Sequence, residues 1–103
     1  MEWRYSDESD YRVVAKTSWY NLENYERLKE RSGVYIFADV NHQVKYIGKA
    51  GARRMVDEIA SAISRGKAYG ASRLKALYTN SDERALSLER DLIDKYNPPN
   101  NLR

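Results

Sequence analysis

Several residue types that carry chemistry are scarce or missing here. There is no cysteine, which excludes disulfides, thiolate metal sites and cysteine nucleophiles and fits an intracellular, cytoplasmic setting. The one histidine, His42, falls in an expected turn and is too little for a zinc site of the usual kind. No apolar run approaches the roughly 20 residues that span a bilayer, so no membrane partner is expected. The opening MEWRYSDESD is polar and acidic, unlike a secretory signal. The two prolines are adjacent, and repeats and low-complexity tracts are missing. What remains is 103 residues, 42% hydrophobic and 32% charged, a composition that suits one globular domain with one core.

The net charge is +3, but it is unevenly placed. Between Gln43 and Leu77 there are eight basic residues (Lys45, Lys49, Arg53, Arg54, Arg65, Lys67, Arg73, Lys75) against Asp57 and Glu58, a local balance of +6. The first thirty residues balance at −2. For any single lysine a solvated surface is explanation enough. A concentrated patch in a chain with nine tyrosines favours a phosphate-rich partner.

Taken in order, residues 1–10 read as loosely ordered and Tyr11–Lys16 as a short edge strand, carried by Val13 and Val14. Asn21–Arg31 reads as a helix with Leu22, Tyr25 and Leu28 on one stripe, ended at Gly33. Val34–Ala38 and Val44–Gly48 are strands joined as a hairpin. Met55, Val56, Ile59 and Ile63 mark one face of a helix from Ala52 to Ser64. Arg73–Thr79 fits either period and is taken as a third strand. Asn80 or Ser81 caps a final helix over Ala85–Tyr96. The expected class is therefore α/β (α+β), a small three-stranded antiparallel sheet flanked by helices. Residues 1–32 form an N-terminal extension with a short strand and helix, and 33–103 one compact unit.

The final helix carries an anomaly. Ala85, Leu88, Leu92, Ile93 and Tyr96 sort to one side at 3.6 residues per turn, and Glu89 points into that apolar sector. A carboxylate aimed at a core is costly unless it is paired or holds a metal. The helix then stops in Asn97-Pro98-Pro99-Asn100-Asn101, a rigid, amide-rich tail. Upstream, each strand of the hairpin sets a tyrosine beside a glycine: Gly33-Val34-Tyr35 and Tyr46-Ile47-Gly48, the latter followed by Lys49-Ala50. Strand tyrosines usually just pack, but the order and spacing of all these parts are specific.

In these motifs, spread over about Gly33 to Asn101, the sequence resembles the GIY-YIG nuclease family. The resemblance implies a metal-dependent endonuclease acting on DNA, or a binding module that keeps the fold without efficient chemistry. It implies that Glu89 ligates one divalent ion, magnesium with manganese as a substitute, and that Tyr35 and Tyr46 line the phosphate, one of them orienting or deprotonating the attacking water. Asn101 is implied to hold the site together or touch the phosphate, and Lys49 to reach a neighbouring one. An arginine is implied on the helix after the second motif: Arg54 is favoured, Arg53 is its rival, and Arg65, with Tyr69 four residues on, is the remoter choice. The family usually places this arginine further along, with a histidine or tyrosine one turn later, where this chain has Asp57 and Glu58. Lys49, Arg53, Arg65, Lys67 and Arg73 are the expected nucleic-acid contacts. Cutting two strands needs two sites, so a homo-oligomer or a recognition partner protein is the expected association.

Overall fold

Every residue of Gly33–Ala38 (β3) is buried, which explains why this stretch is apolar without alternation: it runs through the middle of a sheet covered on both faces. The computed structural model describes residues 1–102; the final residue of the expected 33–103 unit lies outside them. Val44–Ala50 (β4) pairs antiparallel along one side of β3, with Tyr35 opposite Gly48. Arg73–Tyr78 (β5) pairs antiparallel along the other, with Tyr35 opposite Ala76. The expected three-stranded sheet is thus present. Two further fragments, Ala15–Lys16 (β1) and Tyr20–Asn21 (β2), lie along the outer side of β5, at Tyr78 and Leu74 respectively. They act as one interrupted edge strand, so β4 is the edge on the opposite side.

Strand alternation sorts the core into two layers. Tyr35, Phe37, Leu74, Ala76 and Tyr78 face the helix Met55–Ser64 (α1), packing against Met55, Ile59 and Ala62. Val34, Ile36, Val44, Ile47 and Leu77 face the helix Asp82–Tyr96 (α2), packing against Leu88, Leu92 and Tyr96. Ser81 caps α2 by accepting the Arg84 amide at 3.1 Å. Asn97 closes it in a left-handed conformation, φ 45°, a geometry asparagine tolerates better than most residues.

Several expectations change, among them the edge strand expected over Tyr11–Lys16, which is confined to Ala15–Lys16. The helix expected over Asn21–Arg31 is a 3-10 helix, Leu22–Arg27, kinked at Asn24. Leu22, Tyr25 and Leu28 recur every three residues, which is the 3-10 period rather than the α period. The helix expected from Ala52 starts at Met55, because Arg53 takes a left-handed turn at φ 64°. Residues 1–10, expected to be loose, are packed: Trp3 is buried and stacks on Tyr96 at 5.1 Å. Glu8, also buried, accepts the Trp3 indole N–H at 2.8 Å and pairs with Lys75 Nζ at 3.0 Å. Lys75 is only 3% exposed, so it is no part of the basic surface.

Candidate active site

Tyr35 is buried under the α1 layer, with its hydroxyl donating to the Glu58 carbonyl at 3.4 Å. Its ring centroid is 6.1 Å from that of Tyr46, so the two phenols share one side of the hairpin, as their positions on paired strands require. Gly48 makes this possible: a Cβ there would fall on the Tyr35 ring and hydroxyl. Burial pushes the Tyr35 phenol well above its ordinary range, and the nearby Tyr46 and Glu58 push the same way while Arg65 opposes them. Tyr46 is half-buried on the edge strand, and Lys67 Nζ sits 6.0 Å from its ring centroid. A cleft of about 400 Å³ opens beside them, lined by Arg65, Gly66, Lys67, Tyr69 and Asn100.

Glu89 sits on α2 and belongs to the other layer, together with Lys49, which alternation turns away from Gly48 and toward α2. The carboxyl is half-buried, as its helical position predicts. Burial raises its pKa, while the Lys49 and Arg90 charges and the Lys49 backbone amide pull it back. Among the described residues no ion pair involves this carboxylate, and no three acids, histidines or cysteines gather to hold a metal. A single desolvated carboxylate suits magnesium, a hard ion that keeps several waters, and not zinc. The phenols and the carboxylate can meet only around the outer edge of β4.

That edge is held by the tail. Asn101 Oδ1 accepts the Ile47 amide and its Nδ2 donates to the Ile47 carbonyl, both at 2.8 Å. Its amide therefore fills the place of a neighbouring strand, with donor and acceptor both occupied by the β4 backbone. Asn100 Nδ2 donates to the carbonyls of Lys67 and Tyr69 at 2.8 and 2.9 Å, tying the same tail to the loop after α1. Four consecutive residues of β4, Tyr46 to Lys49, each carry one link of this arrangement. A model of the UvrC-like GIY-YIG domain matches residues 31–102.

The chain belongs to the UvrC-like GIY-YIG family.

UvrABC system protein C of Rickettsia prowazekii is 41% identical over 78 residues, covering 71% of this chain and 12% of that protein. Its counterpart from Methanothermobacter thermautotrophicus is 34% identical over 83 residues, 76% of this chain and 14% of that protein. This GIY-YIG chain thus spans about an eighth of the length of the curated relatives it matches. The GIY-YIG N-terminal endonuclease domain of UvrC from Thermotoga maritima, bound to its catalytic divalent cation magnesium, superposes with a TM-score of 0.64 at 27% identity, covering 76% of this chain and 91% of that one. A point mutant of the same domain gives 0.66 at 29% identity, covering 79% and 93%.

Around the candidate site of this GIY-YIG chain the basic residues divide. Arg54 is exposed at the α1 N-cap, and Arg53, in its left-handed turn, donates its amide to the Glu30 carbonyl at 3.3 Å. Arg65, at the other end of α1, is the arginine whose charge acts on Tyr35. Arg73 bonds Asn21 Oδ1 at 3.1 Å on the far edge of the sheet, away from Lys49 and Lys67. Asn100 and Glu58 are not among the residues that the sequence singles out. The doubled asparagine of the tail was the available signal for the first; nothing marked the Glu58 carbonyl.

Proposed function

We propose that this chain is a metal-dependent endonuclease that hydrolyses DNA phosphodiester bonds with one divalent ion, magnesium, held by Glu89. The observation that carries the reading is the half-buried Glu89 carboxylate, without an ion-pair partner among the described residues, its pKa raised by burial, set beside the β4 edge. The magnesium-bound Thermotoga maritima domain supports the choice of ion. Bound there, such an ion supplies charge neutralisation at a phosphate and its leaving oxygen.

The remaining roles fall to this chain's own residues. Tyr46, half-exposed on the edge strand, reaches the phosphate and orients the attacking water. Tyr35, buried and held protonated, positions Tyr46. Arg65, rather than Arg54 or Arg53, steadies negative charge developing on the phosphoryl oxygens. Lys67 and Lys49 contact flanking phosphates, and the Asn101 clip keeps β4 and the tail in register. DNA as substrate implies an intracellular place of action, and cutting both strands calls for a homo-oligomer or a recognition partner.

The test is plasmid DNA incubated with purified chain, with and without magnesium, beside Glu89→Ala, Tyr46→Phe, Tyr35→Phe and Arg65→Ala. Cleavage should require the metal and vanish in Glu89→Ala. It should fall by about 10²-fold or more in Tyr46→Phe and by about 10²-fold in Arg65→Ala, and by clearly less in Tyr35→Phe. Full activity in Glu89→Ala overturns the assignment. A second reading, a binding module without efficient turnover, is favoured by the exposure of Arg54; it predicts salt-sensitive DNA binding with no cleavage in magnesium or manganese.

A further inference from the structure

The side of the sheet farthest from β4 carries a second concentration of positive charge. A cleft of about 330 Å³ has Lys16, Tyr20, Arg27, Lys29, Arg31 and Tyr78 in its walls. A neighbouring cleft of about 350 Å³, with Trp19 and Asn24 in its walls, shares Tyr20 and Arg27 with it. Among the described residues four cations border the pair of clefts and no carboxylate does. Among the described residues Arg27, Lys29 and Arg31 form no ion pair, while Lys16 reaches the buried Glu8 at 3.3 Å. Glu30, the acid between Lys29 and Arg31, is turned toward α1, accepting the Val56 amide at 2.7 Å.

The cleft is built rather than incidental. The Tyr78 hydroxyl accepts the Lys29 amide at 3.0 Å, and the Arg31 guanidinium lies 5.5 Å from the centroid of the Tyr78 ring. These interactions fix the backbone that carries Lys29 and Arg31. Half-buried Tyr20 and Trp19 form the walls, an aromatic and cationic mixture that suits phosphate and base together. Most of the lining lies before residue 31, where the family match begins.

We propose that this cleft is a second DNA contact, in which Lys16, Arg27, Lys29 and Arg31 hold backbone phosphates of the substrate away from the cutting site. Three strand spacings separate the β1/β2 edge from β4, about 15 Å, comparable with the width of a duplex major groove, about 12 Å. One duplex can therefore touch both edges of this small sheet. The inference rests on DNA being the substrate, and it gives the residues before 31 a binding role.

The test is equilibrium binding of a short fluorescein-labelled DNA duplex to the full chain in EDTA over a range of salt. Wild type is compared with Arg27→Ala/Lys29→Ala/Arg31→Ala and with the charge-keeping Arg27→Lys/Arg31→Lys, with unfolding temperature recorded for each. The triple variant should bind at least about tenfold more weakly. Its slope of log affinity against log salt should be shallower by up to about 3, near 0.9 for each phosphate no longer neutralised. The charge-keeping variant should retain the wild-type slope. An unchanged slope in a folded triple variant overturns the proposal. So does loss of binding to anionic lipid vesicles while DNA binding stays intact, which assigns the cleft to a membrane surface instead. Magnesium-dependent cleavage by wild type, scored in parallel, reports on the nuclease reading alone: a chain that binds through this cleft but never cuts fails that reading and not this one.

Discussion

At Gly48 there is no space for a methyl group, because the Tyr35 ring crosses directly over the backbone. Gly48→Ala should lower stability by about 1–3 kcal/mol, the usual cost of overpacking, and should weaken cleavage more than the stability loss explains, since the displaced ring is the one proposed to place Tyr46. Urea unfolding read beside the plasmid assay checks both effects. Glu89 makes a prediction of opposite sign. Its folded-state pKa lies above the ordinary value of 4.5, so the native state holds its proton more tightly than the unfolded chain does. Stability therefore falls as pH rises through the window between those two values. Glu89→Gln should raise the unfolding temperature of the chain in EDTA at neutral pH, and the gain should disappear in acid below the ordinary carboxylate value. Magnesium affinity should fail on acidification at a higher pH than for an exposed glutamate. An unfolding temperature for Glu89→Gln equal to wild type at every pH would show the carboxyl to be fully solvated. The inward-facing acid was legible from helical projection alone; its separation from the phenols by the thickness of the sheet was not, because that depends on which way each strand residue turns.

The secondary elements differ in how openly they declare themselves. β3, α1 and α2 each bury a continuous set of side chains, so their periodicity survives in the sequence. Residues 22–27 carry a three-residue repeat that looks like a thin helical stripe until 3-10 geometry accounts for it. The edge strand was expected at Tyr11–Lys16, but the strand is only Ala15–Lys16: the Val14 amide still donates to the Tyr78 carbonyl at 2.9 Å with its side chain exposed, and Val13 packs toward the α2 layer. The sequence marks the tail as rigid and amide-rich but not as an edge guard, since nothing in the linear chain says that Ile47 offers its backbone outward to Asn101. Asn101→Ala should leave that N–H and C=O without their partners, cost about 1–3 kcal/mol and open β4 to other chains. Sedimentation at rising concentration should then show self-association that wild type lacks. The proposed arginine follows from the same scale: spacing along the chain favours Arg54, whereas in the fold it is the Arg65 charge that acts on the Tyr35 phenol.

Across the whole molecule, the N-terminal segment is sewn to the α2 layer by charge. Glu8 pairs with Lys75, and Asp7 accepts from Lys95 at 2.7 Å and from the Tyr96 hydroxyl. Asp10 pairs with Arg12 at 2.9 Å. Burial alone would raise the Glu8 carboxyl, but the Trp3 indole and Lys75 outweigh it, and its pKa ends below the ordinary value; Arg12 lowers Asp10 likewise. Both groups contribute stability above the ordinary carboxylate pKa, and that contribution is lost as pH falls through their depressed values. Glu8→Gln strands a buried ammonium and should cost about 3 kcal/mol or more at neutral pH, with the loss shrinking in acid; chemical unfolding read by tryptophan fluorescence measures it. None of this was legible in the sequence, because the Glu8–Lys75 pair joins residues far apart in the chain. The two extremities also share a berth: the Met1 carbonyl accepts the Val44 amide at 2.9 Å, and Asn101 grips Ile47, three positions along the same strand and so about 10 Å apart. Anything grafted onto either extremity would emerge beside the rim where the scissile phosphate is proposed to lie, so a tethered recognition module could survey the very stretch of DNA about to be cut.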